Sequence, residues 1–387
     1  MEEASRNSAL GTLVRRVTPS VLKKKSSIPD DILLNKELNL YIEQLPHNYN
    51  FELHKTLFRI RQEGASLVAL QFPEGLLMYA CIISDILSIF GKVEVVILAD
   101  VTYGACCVDD FTAEKLGAQL LVHYGHSCLV PITVTKVKTM YVFVEIGFSP
   151  NHLVECVRKN FAPEQRLVLM GTIQFTGVLH QACAELRRTH ASITVPQSKP
   201  LSAGETLGCT SAVLPACDAL IFVADGRFHL EAAMIRNPSV AAYRYDPYSK
   251  VLSAEAYDIE LMKTTRLAAI AAAGRATRFG LILGTLGRQG NRAIFERLRA
   301  LLEGKGRTVV PFLMAEIVPK KLLELSDIEA WVQVACPRLS IDWGGGFAKP
   351  LLTPYELEVC LGAAPWQQTY PMDYYSLEGG PWANYHK

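Results

Sequence analysis

The sequence lacks three things, and each absence closes a class of function. It has no surplus of charge: 39 basic residues face 38 acidic ones, so the overall balance asks for neither nucleic acid nor an anionic membrane as partner. It has no apolar run long enough for a bilayer. The longest, LLMYACIISDILSIF from Leu76 to Phe90, carries Asp85 and falls short of the roughly 20 residues a spanning helix needs. It has no cysteines at metal-finger spacing. The opening MEEASRN is acidic rather than apolar, so neither a secretory signal nor a transit peptide is expected. Ten cysteines in such a chain predict reduced thiols and a cytoplasmic location.

What is present is apolar and periodic. Half of the residues are hydrophobic, enough for a sizeable core. Residues 1–30, with the basic run Lys23–Lys25, read as a flexible tail. Beyond it, strand-length apolar runs alternate with helix-length amphipathic segments, the pattern of parallel α/β units. SLVALQF, VEVVILAD and QLLVHYGHS form a first unit, with a short DFTAEKLG helix capped by Asp109 or Asp110. A second opens at MYVFVEI and runs through RLVLMG and ASITV to ALIFVADG. A long helical segment, about Ala254 to Thr277, leads into FGLILGTLG, TVVPFLM and WVQVACPRLS. The expected class is α/β: three similar small domains with parallel-type sheets, at 31–139, 140–265 and 266–387.

The stretch TYGACCVDD places two adjacent cysteines at the end of a strand. Neighbours on one backbone are poorly placed to share a metal, and a disulfide between them is strained. One of the two therefore needs partners elsewhere. In open parallel sheets, sites form outside the carboxyl ends of the strands. Cys81, Cys156, Cys183 and Cys360 lie in helix-like apolar patterns and read as core, and Cys217 reads as structural. Cys106 or Cys107, Cys128, Cys209 and Cys336 sit on Gly- or Pro-marked loops. Positions 106, 209 and 336 fall one per expected domain, which a pseudo-threefold arrangement would need to bring three thiolates to one centre. Soft thiolates select zinc, copper(I) or iron–sulfur clusters. Spacing alone leaves unrelated cysteines as the alternative.

The words around these cysteines narrow the choice. QFPEGLL, DVTYGACCVDD, LVHYGHSCLVP, PLSAGETLGCTS, DGRFHLE, YRYDPYSK, LGTLGRQG and VACPRLSIDWG closely resemble, in this order, the diphthamide biosynthesis protein 1 family. The likeness runs from about Ile28 to about Pro381. It implies three α/β domains around a [4Fe–4S] cluster held by Cys106, Cys209 and Cys336, with Cys107 a bystander. It also implies use of S-adenosylmethionine without a CxxxCxxC motif, which this sequence lacks. The expected reaction gives a 3-amino-3-carboxypropyl radical and methylthioadenosine, and the radical adds to a histidine of elongation factor 2. The implied partners are diphthamide biosynthesis protein 2, in a heterodimer, and a small metal-binding electron donor protein.

The resemblance also sets GTLGRQG beside the S-adenosylmethionine site, with Gln289 as a polar contact; a plain tight turn is the competing reading. Arg338 and Asp342 suit the carboxylate and ammonium of the methionine moiety, or else pair with each other. His126 and His229 lie at strand ends as hydrogen-bond partners or as takers of the imidazole proton. YRYDPYSK suits a docking surface or an ordered loop. The rival functions are a quinolinate synthase-like dehydratase and a non-catalytic scaffold subunit of a heterodimer.

Overall fold

The computed structural model describes residues 28–386, so the tail expected at 1–30, with Lys23–Lys25, lies almost wholly outside the described residues. Three larger sheets carry the fold, beside a two-stranded antiparallel pairing of Tyr49–Asn50 with Glu145–Ile146. The first contains β1 (Leu67–Gln71), β2 (Glu94–Leu98), β3 (Leu120–Tyr124) and β4 (Lys138–Val142), in the order β2-β1-β3-β4. The second contains β5 (Arg166–Gly171), β6 (Ser192–Thr194), β7 (Ala219–Val223), β8 (Ala241–Asp246) and β9 (Val251–Glu255), in the order β6-β5-β7-β8-β9. The third contains β10 (Arg278–Gly284), β11 (Thr308–Met314), β12 (Ala330–Val334) and β13 (Leu351–Leu352), in the order β11-β10-β12-β13.

Each sheet thus follows one rule: the second strand lies on one side of the first, and the third and fourth lie on the other. All these pairings are parallel, and only the hairpin partner β9 runs antiparallel. The architectural repeat expected from the sequence is this strand order. Parallel strands covered by helices on both faces read as unbroken apolar runs, as LVALQ, LLVHY, ALIFV and AWVQV do. Successive residues feed opposite faces: Val68 and Leu70 enter one core while Ala69 enters another. Leu167 and Leu169 are likewise separated from Val168 and Met170.

Two boundaries differ from expectation. The run MYVFV does not open the second unit. Its strand β4 pairs in parallel with β3, Tyr124 opposite Val142, so the first sheet extends beyond 139. The helix expected from Ala254 begins at Ile259, because Val251–Glu255 instead forms the edge strand β9 on β8. Asp258 caps that helix by accepting the Leu261 N–H at 2.9 Å. The helix, Ile259–Ala273, joins the third sheet's core through Ile270 and Ala273, so a boundary at 265 would cut through it. Cys81, expected in the core, faces solvent. None of the described helices is long and apolar enough to cross a membrane.

Candidate metal centre

Cys106 and Cys107 lie in a single 3-10 turn, Ala105–Cys107, after β2. The turn is held from below by Gln71, the last residue of β1. Its side-chain amide donates to the Cys107 carbonyl at 2.8 Å, and its oxygen accepts the Asp109 N–H at 3.2 Å. His123 Nδ1 lies 2.8 Å from that same oxygen. Gln333, near the end of β12, repeats the device: it donates to the Cys336 carbonyl and accepts from the Ala335 N–H, both at 2.9 Å. Both glutamines are buried, and their amides satisfy loop groups that would otherwise be orphaned. Sequence reasoning missed them. The available signal was a lone Gln ending, or nearly ending, an apolar strand.

Cys209 sits on the long loop between β6 and β7. A tight turn joins Leu207 and Thr210, and the C-terminal segment is bound to it: Tyr374 N–H donates to the Cys209 carbonyl at 3.3 Å and Tyr375 N–H to Thr210 Oγ1 at 2.9 Å. Cys209, Tyr374 and Tyr375 share one buried cluster, with Cys106 packed against it. Cys106 and Cys209 both follow the second strand of their sheets, whereas Cys336 follows the third strand of its own. The three cysteines are therefore not topologically equivalent.

The thiols nonetheless lie near enough to act on one another. A hydrogen bond to Cys107 and then burial push Cys106 up, and charge on Cys336 or Cys209 raises it further. Burial pushes Cys209 up and Cys336 up to about 11. The buried Tyr374 and Tyr375 hydroxyls, raised first by burial, sense all three thiols. Among the described residues, no three His, Cys, Asp or Glu side chains are close enough to share one metal ion. Ligands of a multi-iron cluster each bind a different iron and stand further apart than ligands of one ion. The donor set, three soft sulfurs in a buried site that resists bare thiolate charge, fits such a group. Cys128 is exposed, and Cys183 is buried in the second sheet's core.

Gln289 reaches the same place: its amide donates to the Cys107 sulfur at 3.4 Å. The preceding turn explains a glycine. Gly287 has φ of +53°, and a Cβ there would fall 2.5 Å from the Cys107 carbonyl carbon. GTLGRQG thus lets one backbone approach another closely. Gly287→Ala is expected to displace the Cys106 turn, cutting cluster-bound iron several-fold after anaerobic reconstitution while the far-ultraviolet spectrum keeps its shape. Unchanged iron content would mean that the turn relaxes without moving the cysteines.

Arg338 and Asp342 pair with each other, Nε lying 2.8 and 2.9 Å from the two carboxylate oxygens. Further donors of Arg338 go to Gly208 O, Phe228 O and Glu231, and its side chain is 1 % exposed. Burial holds His126 and His229 near 4, so both imidazoles are neutral at neutral pH. YRYDPYSK is an ordered hairpin, with Asp246 accepting from the Tyr248 N–H at 2.9 Å at its turn. A cleft of about 640 Å³ lined from Ile28 to Lys55 contains no cysteine, so its size does not mark it as the site of chemistry.

The sequence profile of the diphthamide synthesis proteins matches residues 72–371, which include all three loop cysteines. The chain belongs to the diphthamide synthesis family. It is similar to 2-(3-amino-3-carboxypropyl)histidine synthase subunit 1 of Dictyostelium discoideum, with 55% identity over 93% of this chain and 78% of the relative. It is 54% identical to the Homo sapiens protein of that name, over 93% of this chain and 83% of the relative. Among solved structures, Dph2 from Pyrococcus horikoshii with a 4Fe-4S cluster matches with a TM-score of 0.71 and 29% identity, covering 86% of this chain and 95% of that one. The fold and a place in diphthamide synthesis are thus shared with the family.

Proposed function

We propose that this chain is the iron–sulfur subunit that cleaves S-adenosylmethionine to a 3-amino-3-carboxypropyl radical and transfers it to a histidine of elongation factor 2. The observation that carries the reading is that Cys106, Cys209 and Cys336, from loops of three sheets, lie near enough to act on one another and on the buried Tyr374 and Tyr375. Family membership and the cluster in the solved relative support it. In this reading the three thiolates hold a [4Fe–4S] cluster in a pseudo-threefold setting, and that cluster, when bound, supplies the electron for reductive cleavage. The chain's own side chains do the rest. Gln71 and Gln333 fix two of the cysteine loops, and Gln289, beside the Cys107 sulfur, serves as a polar contact to S-adenosylmethionine. Arg338 and Asp342 border the site but engage each other. His126 and His229, held neutral by burial, suit hydrogen-bond partners better than proton acceptors.

The reading places the chain in the cytoplasm, in a heterodimer with diphthamide biosynthesis protein 2, with electrons delivered by the pathway's small metal-binding protein. Its test is anaerobic incubation of the dithionite-reduced heterodimer with carboxyl-labelled S-adenosylmethionine and elongation factor 2. Methylthioadenosine should accumulate, and label should enter the factor only while its acceptor histidine is present. A pocket built between three loops, rather than one short motif, selects the bond to break through alignment. Deoxyadenosine as main product, or labelling indifferent to that histidine, would sink the assignment.

A further inference from the structure

Only two ion pairs among the described residues cross from one sheet's unit to another's, one from the turn after β10 and one from the first residue of the helix Arg338–Trp343. The arginine of each also donates to a backbone carbonyl in a cysteine loop of a different sheet. Arg338, two residues after Cys336, donates through one terminal nitrogen to the carbonyl of Gly208, the residue before Cys209, at 3.2 Å and to Phe228 O at 2.7 Å. Its other terminal nitrogen meets Glu231 at 2.6 Å, and the guanidinium lies 4.2 Å from the Phe228 ring centre. Arg288, on the turn after β10, grips Asp110 with a two-toothed pair at 2.8 and 2.5 Å and lies 4.0 Å over the Phe111 ring. Its backbone N–H donates to the Cys106 carbonyl at 2.8 Å. The same three elements recur in both places: a planar fork, a carboxylate and an aromatic face.

We infer that Arg288 and Arg338 are positioning residues, clamps by which the third sheet sets where the Cys106 and Cys209 loops stand relative to Cys336. The two side chains bond carboxylates and backbone carbonyls. Each acts through the loop it holds. A lysine cannot replace either, because a point charge keeps the attraction and loses the two-directional fork. The inference rests on the reading that these cysteines serve one shared cluster, yet the clamp itself can be read without one.

The experiment is timed alkylation of the cluster-free full-length chain with iodoacetamide, each cysteine quantified by mass spectrometry. Arg338→Gln should raise labelling of Cys209 about fivefold or more, and Arg288→Gln should do the same at Cys106, as expected when local opening becomes easier. Exposed Cys81 should label as in the parent chain, and core Cys183 should stay protected. Arg338→Lys and Arg288→Lys should behave as the Gln variants do. After reconstitution, the Gln variants should show a shifted electron-paramagnetic-resonance signal of the reduced cluster. Unchanged labelling at Cys209 and Cys106 would overturn the inference. So would an equal rise at Cys183, which would mark a global loss of fold, or full protection by lysine. If the parent chain takes up no cluster, the proposed function fails while the labelling contrast stands. If the parent loads normally and the variants label like it, the clamp alone fails.

Discussion

Replacing Cys106, Cys209 or Cys336 with Ala should each lower cluster-bound iron about tenfold to a hundredfold, a loss that even outer partners of metal ligands can cause. The visible iron–sulfur absorption should fall with it. Charge on Cys336 or Cys209 raises Cys106, and charge on Cys336 raises Cys209. All three act on the buried Tyr374 and Tyr375, while Cys107 acts on Cys106 and Cys336 alone. Two remaining thiolates would leave two irons without a protein ligand, in a site where burial opposes any uncompensated charge. Cys107→Ala should keep the absorption largely intact. It loses contacts of the sulfur with Gln289, Cys106 and the Tyr103 and Gly104 backbone, while the Gln71 grip on the turn goes to backbone and survives. Cys128→Ala and Cys81→Ala should match the parent chain. The assignment fails if Cys107→Ala bleaches the protein and Cys106→Ala does not.

Much of this arrangement could be read from the sequence because parallel strands buried on both faces write themselves as apolar runs. LVALQ and ALIFV need no alternation to be recognised, and the Gly- or Pro-marked loops after VEVVILAD, before ALIFV and after WVQV carry the cysteines. The hairpin was harder. Val251–Glu255 lies at an edge, half-exposed, and its VLSAE composition merges with the helical residues that follow. The cap at Asp258 was the signal that separates them. MYVFV was misplaced because an apolar run carries no label for the sheet it joins; only its register with β3 settles that. The glutamine grips and arginine clamps were out of reach for another reason. Gln71 and Cys107 are local in space but 36 positions apart, and Arg288 meets Asp110 across 178. A polar residue in a sequence does not disclose its partner until the chain is folded. The same holds for Arg338, whose pairing with Asp342 could be listed as a possibility but whose reach to Gly208 could not.

Arg266→Ala is expected to destabilise the third unit by about 3–5 kcal/mol, the cost of leaving one member of a buried ion pair uncompensated. Arg266 and Glu356 are the most deeply buried such pair among the described residues, with side chains 1 % and 0 % exposed. The contact is two-toothed, at 2.6 and 2.7 Å, and the remaining donors go to the Ser340 and Leu351 carbonyls at 2.7 Å each. Glu356 is also fully engaged. It accepts from the Tyr370 hydroxyl and, as part of a capping box, from the Thr353 N–H, both at 2.9 Å. Removing the arginine leaves a buried carboxylate and strips a donor from two carbonyls, Leu351 and Ser340. Ser340 lies on the helix that begins just after Cys336, and its carbonyl stays bonded to the Gly344 N–H. Tm should fall by roughly 6–20 °C at the scaling expected for a unit of this size, and Cys336 should become more reactive before the first two sheets melt. Glu356→Gln should cost less, since it keeps the shape and one acceptor while Arg266 retains two carbonyls. Replacing both with Arg266→Met and Glu356→Leu should recover part of the loss, because an apolar pair of similar volume has no charge to desolvate. Circular-dichroism melts of the single and double variants decide the matter: a shift under about 2 °C for Arg266→Ala, well inside the range of ordinary surface substitutions, would show that water or a neighbouring side chain takes the arginine's place.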